Sequence, residues 1–242
     1  MRSRSEAAPS FVFVESLAIT GADLAFGEEE SRYLSRVVRA RVGERATATD
    51  GRGGRAEVRL TAVGHSCSGQ IERLEQVERG RELCLACGAP EGDRADWMIE
   101  KLAELGVATF QPLDCERGGW ERALGRVGRW ERLARAALRQ SRACHSLSLL
   151  PARPLDEWLV SPLPEARLLA DPEGTAASGS MGGKAMVIAI GPSGGFSPEE
   201  KKALQEKEFA LLWLAGSRLR TETAALASAA WWSSSGAPAP RR

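Results

Sequence analysis

The chain has 242 residues, of which 33 are basic and 32 acidic, and a formal net charge of +1. That length suits two domains of ordinary size. Near-neutrality excludes a protein that attracts nucleic acid over its whole surface, leaving room only for a local basic face. No apolar run approaches the roughly 20 residues that span a bilayer. The arginines near Met1 are not followed by the apolar stretch of a secretory signal, so the expectation is a cytoplasmic protein without a membrane segment.

Residues 1–78 read as a first domain of short strands, at Phe11–Val14, Arg45–Thr49, Ala56–Val63 and Gly69–Leu74. Asp50-Gly51, followed by further glycine between two β runs, predicts a hairpin. One helix is expected over Glu28–Arg39, where Tyr33, Leu34, Val37 and Val38 recur at helical spacing. Short strands with a single helix suggest a small barrel.

The rhythm changes in the second domain, residues 79–233. Leu83–Ala89 is an apolar strand, Asp93 caps a helix that Gly106 ends, and Val107–Leu113 is the next strand, a β-α-β unit. A long helix covers Val127–Ala143. Further strands are expected at Ala166–Ala170, Ala185–Ile190 and Phe209–Leu214, with helices at Pro198–Lys207 and Thr221–Trp232. Alternating β and α with continuously apolar strands argues for a parallel sheet covered on both faces, an α/β domain. Glu173–Lys184 reads as a mobile loop, and residues 234–242 as a disordered tail.

Five cysteines make an odd count without a disulfide rhythm, which suits a reducing compartment. Cys84 and Cys87 form a C-x-x-C, either half of a zinc or redox site or two small residues of an apolar strand. The other ligands on offer are Cys144 with His145, or Cys67 with His65, and no metal is expected. Gly179–Lys184 imitates a phosphate loop but has Ser178 where the first glycine belongs and Ala185 in place of the magnesium-binding hydroxyl.

Three segments carry the chemistry. Strand Ile188–Ile190 runs into a turn through Gly191, Gly194 and Gly195, after which Ser197, Pro198 and Glu200 form a helix start with a capping box. Glycines there let backbone approach a ligand at the carboxyl end of a parallel strand, although a plain βα connection would look similar. A second loop, Leu214–Ala224, places Arg218 and Arg220 beside a helix that begins near Thr221; helix capping with solvated arginines is the bland alternative. In the helix near 127–143, Trp130, Leu133 and Ala137 share one face while Arg132, Arg135, Arg139 and Arg142 share the other. Residues 115–145 hold eight arginines against three acids, and where a solvated face is the usual explanation, this excess favours an anionic partner, RNA first.

Taken together, Tyr33–Arg39, Val42-Gly43-Glu44, Asp50-Gly51, Glu100–Val107, Gln140–Arg142, Ile190–Ser197 and Leu219–Ala224 resemble the RsmE family, the SPOUT-class methyltransferases that modify N3 of a uridine in small-subunit (16S) ribosomal RNA. The resemblance implies an N-terminal PUA-like β-barrel and a C-terminal SPOUT α/β domain with a deep trefoil knot. It also implies a homodimer that binds S-adenosylmethionine and acts on rRNA, free or in an assembled subunit. Carried over by position, the cofactor residues are Leu169, Ala170 and Asp171; Ile190, Gly191, Pro192, Gly194 and Gly195; and Leu214, Ala215, Gly216, Leu219, Arg220, Thr223 and Ala224. Arg220, then Arg218, are the candidates to stabilise charge on the uracil. Arg32, Arg36 and Arg39, with Arg132, Arg135, Arg139 and Arg142, are the candidates to hold RNA.

The chain departs from the family in three places. Ser193 stands where the family usually has Glu, which leaves the general base unassigned; the glycine of the third loop comes one place late; and Arg32-Tyr33 replaces a frequent histidine pair. The alternatives are a non-catalytic RNA-binding dimer with the same fold and a SPOUT enzyme for another RNA position.

Overall fold

A computed structural model describes residues 10–176 and 183–235. Residues 179–182 of the glycine-rich segment, and residues 236–242 of the expected tail, lie outside those described. The chain divides into two compact units. One comprises the described residues up to Arg79 together with Leu138–Ser146, and the other comprises Gly80–Ala137 and the described residues from Leu147 on.

In the first unit the strands are β1 (Ser10–Phe13), β2 (Asp23–Ala25), β3 (Arg45–Thr49), β4 (Gly54–Ala62) and β5 (Ser68–Gln76). They form one sheet in the order β1-β3-β4-β5-β2, with β1 parallel to β3 and the other pairs antiparallel. β4 shows why a strand forms here. Ala56, Val58 and Leu60 are buried while Arg55, Glu57 and Arg59 face water, the alternation of a half-buried strand. Its hairpin with β3 is held by the Asp50 carboxylate, whose Oδ1 accepts from the Arg52 and Gly54 amides at 2.8 and 3.0 Å. Helix α1 (Glu28–Arg32) passes directly into a π-helical turn over Tyr33–Val38, which Arg39 ends in the left-handed conformation at φ 55°.

The second unit is a parallel sheet of β6 (Glu82–Cys87), β7 (Thr109–Asp114), β8 (Ser148–Leu149), β9 (Arg153–Pro154), β10 (Ala166–Ala176), β11 (Ala185–Ile190) and β12 (Ala210–Trp213). Its order is β12-β10-β11-β6-β7-β8, with β9 beside β7. The helices are α2 (Arg94–Glu104), α3 (Val127–Ser141), α4 (Leu155–Leu159), α5 (Pro198–Glu206) and α6 (Thr221–Ser235). One buried cluster joins the sheet to α2, the start of α3 and α6; a second joins it to α4 and α5. Both faces are thus covered, which is why the strands carry no polar alternation. In the first cluster Trp120 lies edge-on to Phe110 and Trp130 with centroids 5.6 and 5.5 Å away, and its indole N–H donates to the Cys87 carbonyl at 3.0 Å.

Three expectations need correction. The segment read as a mobile loop begins inside a strand, because β10 continues through Ala176 after an irregularity between Ala170 and Thr175. The tail does not begin at 234, since α6 continues to Ser235. Asp93 occupies the N-cap of α2 without capping it; its carboxylate pairs with Arg126 at 2.9 Å instead.

Candidate functional site

The strand order brings the carboxyl ends of β10, β11 and β12 together, with β11 inserted between β6 and β10. Loops after adjacent parallel strands are where α/β sheets bind ligands. Here they enclose a cavity of about 350 Å³, inside the roughly 300–1,000 Å³ range of small-molecule pockets.

The middle loop is built by its own residues. Gly195 adopts φ 74°, and its amide donates to the Pro192 carbonyl at 2.7 Å, closing the turn. Pro192 lies so close to Gly88 that a Cβ there would overlap its ring and backbone. The Ser197 hydroxyl accepts from the Glu200 amide at 3.2 Å, and Glu200 Oε2 accepts from the Ser197 amide at 2.8 Å, so the capping box starts α5 as the spacing predicts. The other carboxylate oxygen of Glu200 accepts from the Glu116 amide at 2.8 Å, anchoring the turn after β7. Thr221 opens α6, and its hydroxyl donates to the Gly191 carbonyl at 3.0 Å, joining the middle loop to the third.

Of the residues assigned to the cofactor by position, Ala170, Asp171, Ile190, Gly191, Pro192, Gly194, Gly195, Leu214, Ala215, Leu219 and Ala224 line this cavity. Leu169, Gly216, Arg220 and Thr223 do not. Leu169 is fully buried in the cluster beneath α4 and α5, and the side chains of Arg220 and Thr223 are exposed. Of the two candidate catalytic arginines, Arg218 lines the cavity and Arg220 does not. Arg117, Lys201 and Phe196, which lie outside the loops assigned by position, also line it. Arg117 follows the carboxyl end of β7, a position that marks it as a candidate on topology alone.

Among the described residues four charged side chains line the cavity: Arg117, Asp171, Lys201 and Arg218. Asp171 is buried and doubly held, by Lys201 Nζ at 2.6 Å and by the Glu173 amide at 2.9 Å. Among the described residues the cavity therefore has one carboxylate, already paired with a lysine. Glu222, the other carboxylate nearby in sequence, is buried at the start of α6 but is not part of the lining.

The C-x-x-C lies within β6. Cys84 and Cys87, an odd number of residues apart, point to opposite faces of the strand and join different clusters. Burial pushes the Cys84 thiol up to about 12 and that of Cys87 higher still, so neither ionises near neutrality. Among the described residues no group of three or more His, Cys, Asp or Glu is placed to hold a metal ion, and no helix is long and apolar enough to cross a membrane.

The expected four-arginine face on α3 is corrected in two places. Arg139, itself part of the first unit, pairs with Glu29 at 2.6 Å and Glu30 at 3.3 Å and lies over the Tyr33 ring. Arg142 falls beyond the helix end, in the left-handed conformation at φ 55°. Arg132 and Arg135 remain exposed on α3. In the first unit Arg32, Arg36 and Arg39 are exposed, with Arg32 paired to Glu28 at 2.9 Å.

A parallel sheet whose last three strands present such a cavity defines a class of protein that the comparisons name. The family model described as an RNA methyltransferase domain matches residues 77–233, and the one described as an RNA methyltransferase PUA domain matches residues 26–71. The chain belongs to the RNA methyltransferase family. Within it the resemblance to RsmE holds. The chain is 28% identical to ribosomal RNA small subunit methyltransferase E of Bacillus subtilis, over 93% of this chain and 90% of that protein. It is 30% identical to the Synechocystis protein of the same name, over 58% of this chain but only 45% of that one. Among solved structures, ribosomal RNA small subunit methyltransferase E from Neisseria gonorrhoeae, bound to S-adenosyl methionine, superposes with a TM-score of 0.84 at 27% identity, covering 94% of this chain and 98% of that one.

Proposed function

We propose that this chain transfers a methyl group from S-adenosylmethionine to N3 of a uridine in small-subunit ribosomal RNA. The observation that carries the reading is the cavity closed by the loops after β10, β11 and β12, supported by the Neisseria relative that binds S-adenosyl methionine. The residues present fit that cofactor. Ile190, Leu212, Leu214, Leu219 and Ala224 offer an apolar wall, while Gly191, Gly194 and Gly195 bring backbone polar groups close. When bound, S-adenosylmethionine supplies an electrophilic methyl on a sulfonium.

The chain's part is to orient the acceptor and to stabilise charge. Loss of the N3 proton leaves negative charge on the two flanking ring oxygens, which a guanidinium stabilises where water is excluded. Arg218, which lines the cavity, takes that role ahead of Arg220. Because Lys201 holds Asp171, the lining has no free carboxylate among the described residues to accept the proton. The N3 edge is normally base-paired, so the uridine must be unpaired or turned out of its helix. Arg218→Ala is expected to cut single-turnover methyl transfer by roughly 100-fold, the effect of removing one such donor, while Arg220→Ala changes it less than fivefold. The reverse order would return the role to Arg220.

RNA would be held by the PUA-like unit through Arg32, Arg36 and Arg39 and by Arg132, Arg135 and Arg142, as free rRNA or an assembled subunit in the cytoplasm. The homodimer and the trefoil knot implied by the resemblance belong to the same reading; a single-chain mass in light scattering would contradict the dimer.

A further inference from the structure

We infer that Arg117 is a positioning residue that holds a backbone phosphate of the RNA nucleotide presented to the cavity, an inference that rests on the methyltransferase reading above. Among the described residues three cations and one carboxylate line the cavity, and Lys201 with Asp171 at 2.6 Å cancel each other. Arg218 and Arg117 are left without a carboxylate within ion-pair distance among the described residues. A sulfonium cofactor would add positive charge, so the filled cavity calls for an anion. RNA supplies one phosphate per nucleotide, and the planar guanidinium fork matches its oxygens.

Placement singles out Arg117 for that contact. The side chain is exposed, yet its backbone is fixed by a two-way hydrogen-bonded turn between Cys115 and Gly118 (3.1 and 3.2 Å) and by the Glu116 amide on Glu200. One guanidinium nitrogen reaches the Gly194 and Phe196 carbonyls at 3.4 and 3.5 Å, long contacts that aim the group along the glycine loop and leave its other donors available. By contrast, Arg126, Arg129 and Arg139, from the same arginine-rich stretch, are all committed to carboxylates. The shared chemistry is oxyanion binding, and the cofactor's own carboxylate is the other possible source of the oxyanion.

The test uses the full chain and its Arg117→Ala and Arg117→Lys variants. S-adenosylmethionine affinity is measured by calorimetry, and affinity for small-subunit rRNA by filter binding across a salt series. Arg117→Ala is expected to weaken RNA binding roughly tenfold, the loss of one hydrogen bond to a charged group. It should flatten the slope of log affinity against log salt by roughly 0.7–0.9, one phosphate contact, with cofactor affinity within twofold of wild type. Arg117→Lys, which keeps the charge and loses the fork, should restore the slope and only part of the affinity. An unchanged RNA affinity and slope overturns the inference. So does a tenfold loss of cofactor affinity with RNA binding intact, which would assign the guanidinium to the cofactor carboxylate. Wild-type protein that binds neither ligand would overturn the underlying reading, a result distinguishable from both.

Discussion

Gly191→Ala is expected to abolish cofactor binding while leaving both units folded. A Cβ at this position would lie 2.9 Å from the Phe196 amide nitrogen and 3.2 Å from both Cα and C of Gly195. Those neighbours are backbone, so no side chain can swing away and the loop itself must open. Opening moves the Gly191 carbonyl off the Thr221 hydroxyl and separates two of the three loops that form the cavity. A misplacement of about 1 Å in an active site costs on the order of 100-fold in rate, and S-adenosylmethionine binding that calorimetry no longer detects is expected here. Gly80→Ala is the control, because a Cβ there meets nothing within 4 Å. Near-wild-type affinity in Gly191→Ala would show that the ligand lies elsewhere.

Arg139→Ala is expected to destabilise the first unit by about 3–5 kcal/mol, the range found when one partner of a buried ion pair is removed. Arg139 and Glu30 have side-chain exposures of only 17% and 10%, so the substitution strands a buried carboxylate. Burial already raises the Glu30 pKa above its ordinary 4.5, and Arg139 is the main influence pulling it back. A carboxyl raised in the folded state has no burial penalty below its unfolded pKa, and the full penalty appears once pH passes the folded value. The variant widens that gap. Its deficit in urea unfolding should therefore be largest at neutral pH and shrink as pH falls toward 4.5. An equal deficit at both pH values, or none, would mean that the pair does not carry this charge.

The contrast between these two sites shows what the sequence could convey. The glycine loop was legible because its causes are local: an apolar strand, a turn that needs glycine, and a capping box completed within four residues. β4 was legible because alternation repeats along one strand. Arg139 was not, since helical spacing puts it on the polar face of α3, while the carboxylates that draw it inward lie more than a hundred residues earlier in the chain. β2 escaped notice because three residues with only Leu24 buried make no pattern. Lys201 escaped for a related reason. On α5 alone it is one lysine among charged neighbours, and only the approach of Asp171 from β10 gives it a role. Arg218 and Arg220 sit two residues apart in one loop, and choosing between them required the loop's conformation.

Methyl transfer to uridine N3 is tested by incubating the purified chain with tritiated S-adenosylmethionine and small ribosomal subunits from a strain lacking the modification, followed by nucleoside analysis. Label is expected in 3-methyluridine alone. Label in a different nucleoside would contradict the assigned position, and no label from a protein that binds neither cofactor nor RNA would contradict the assignment of a methyltransferase.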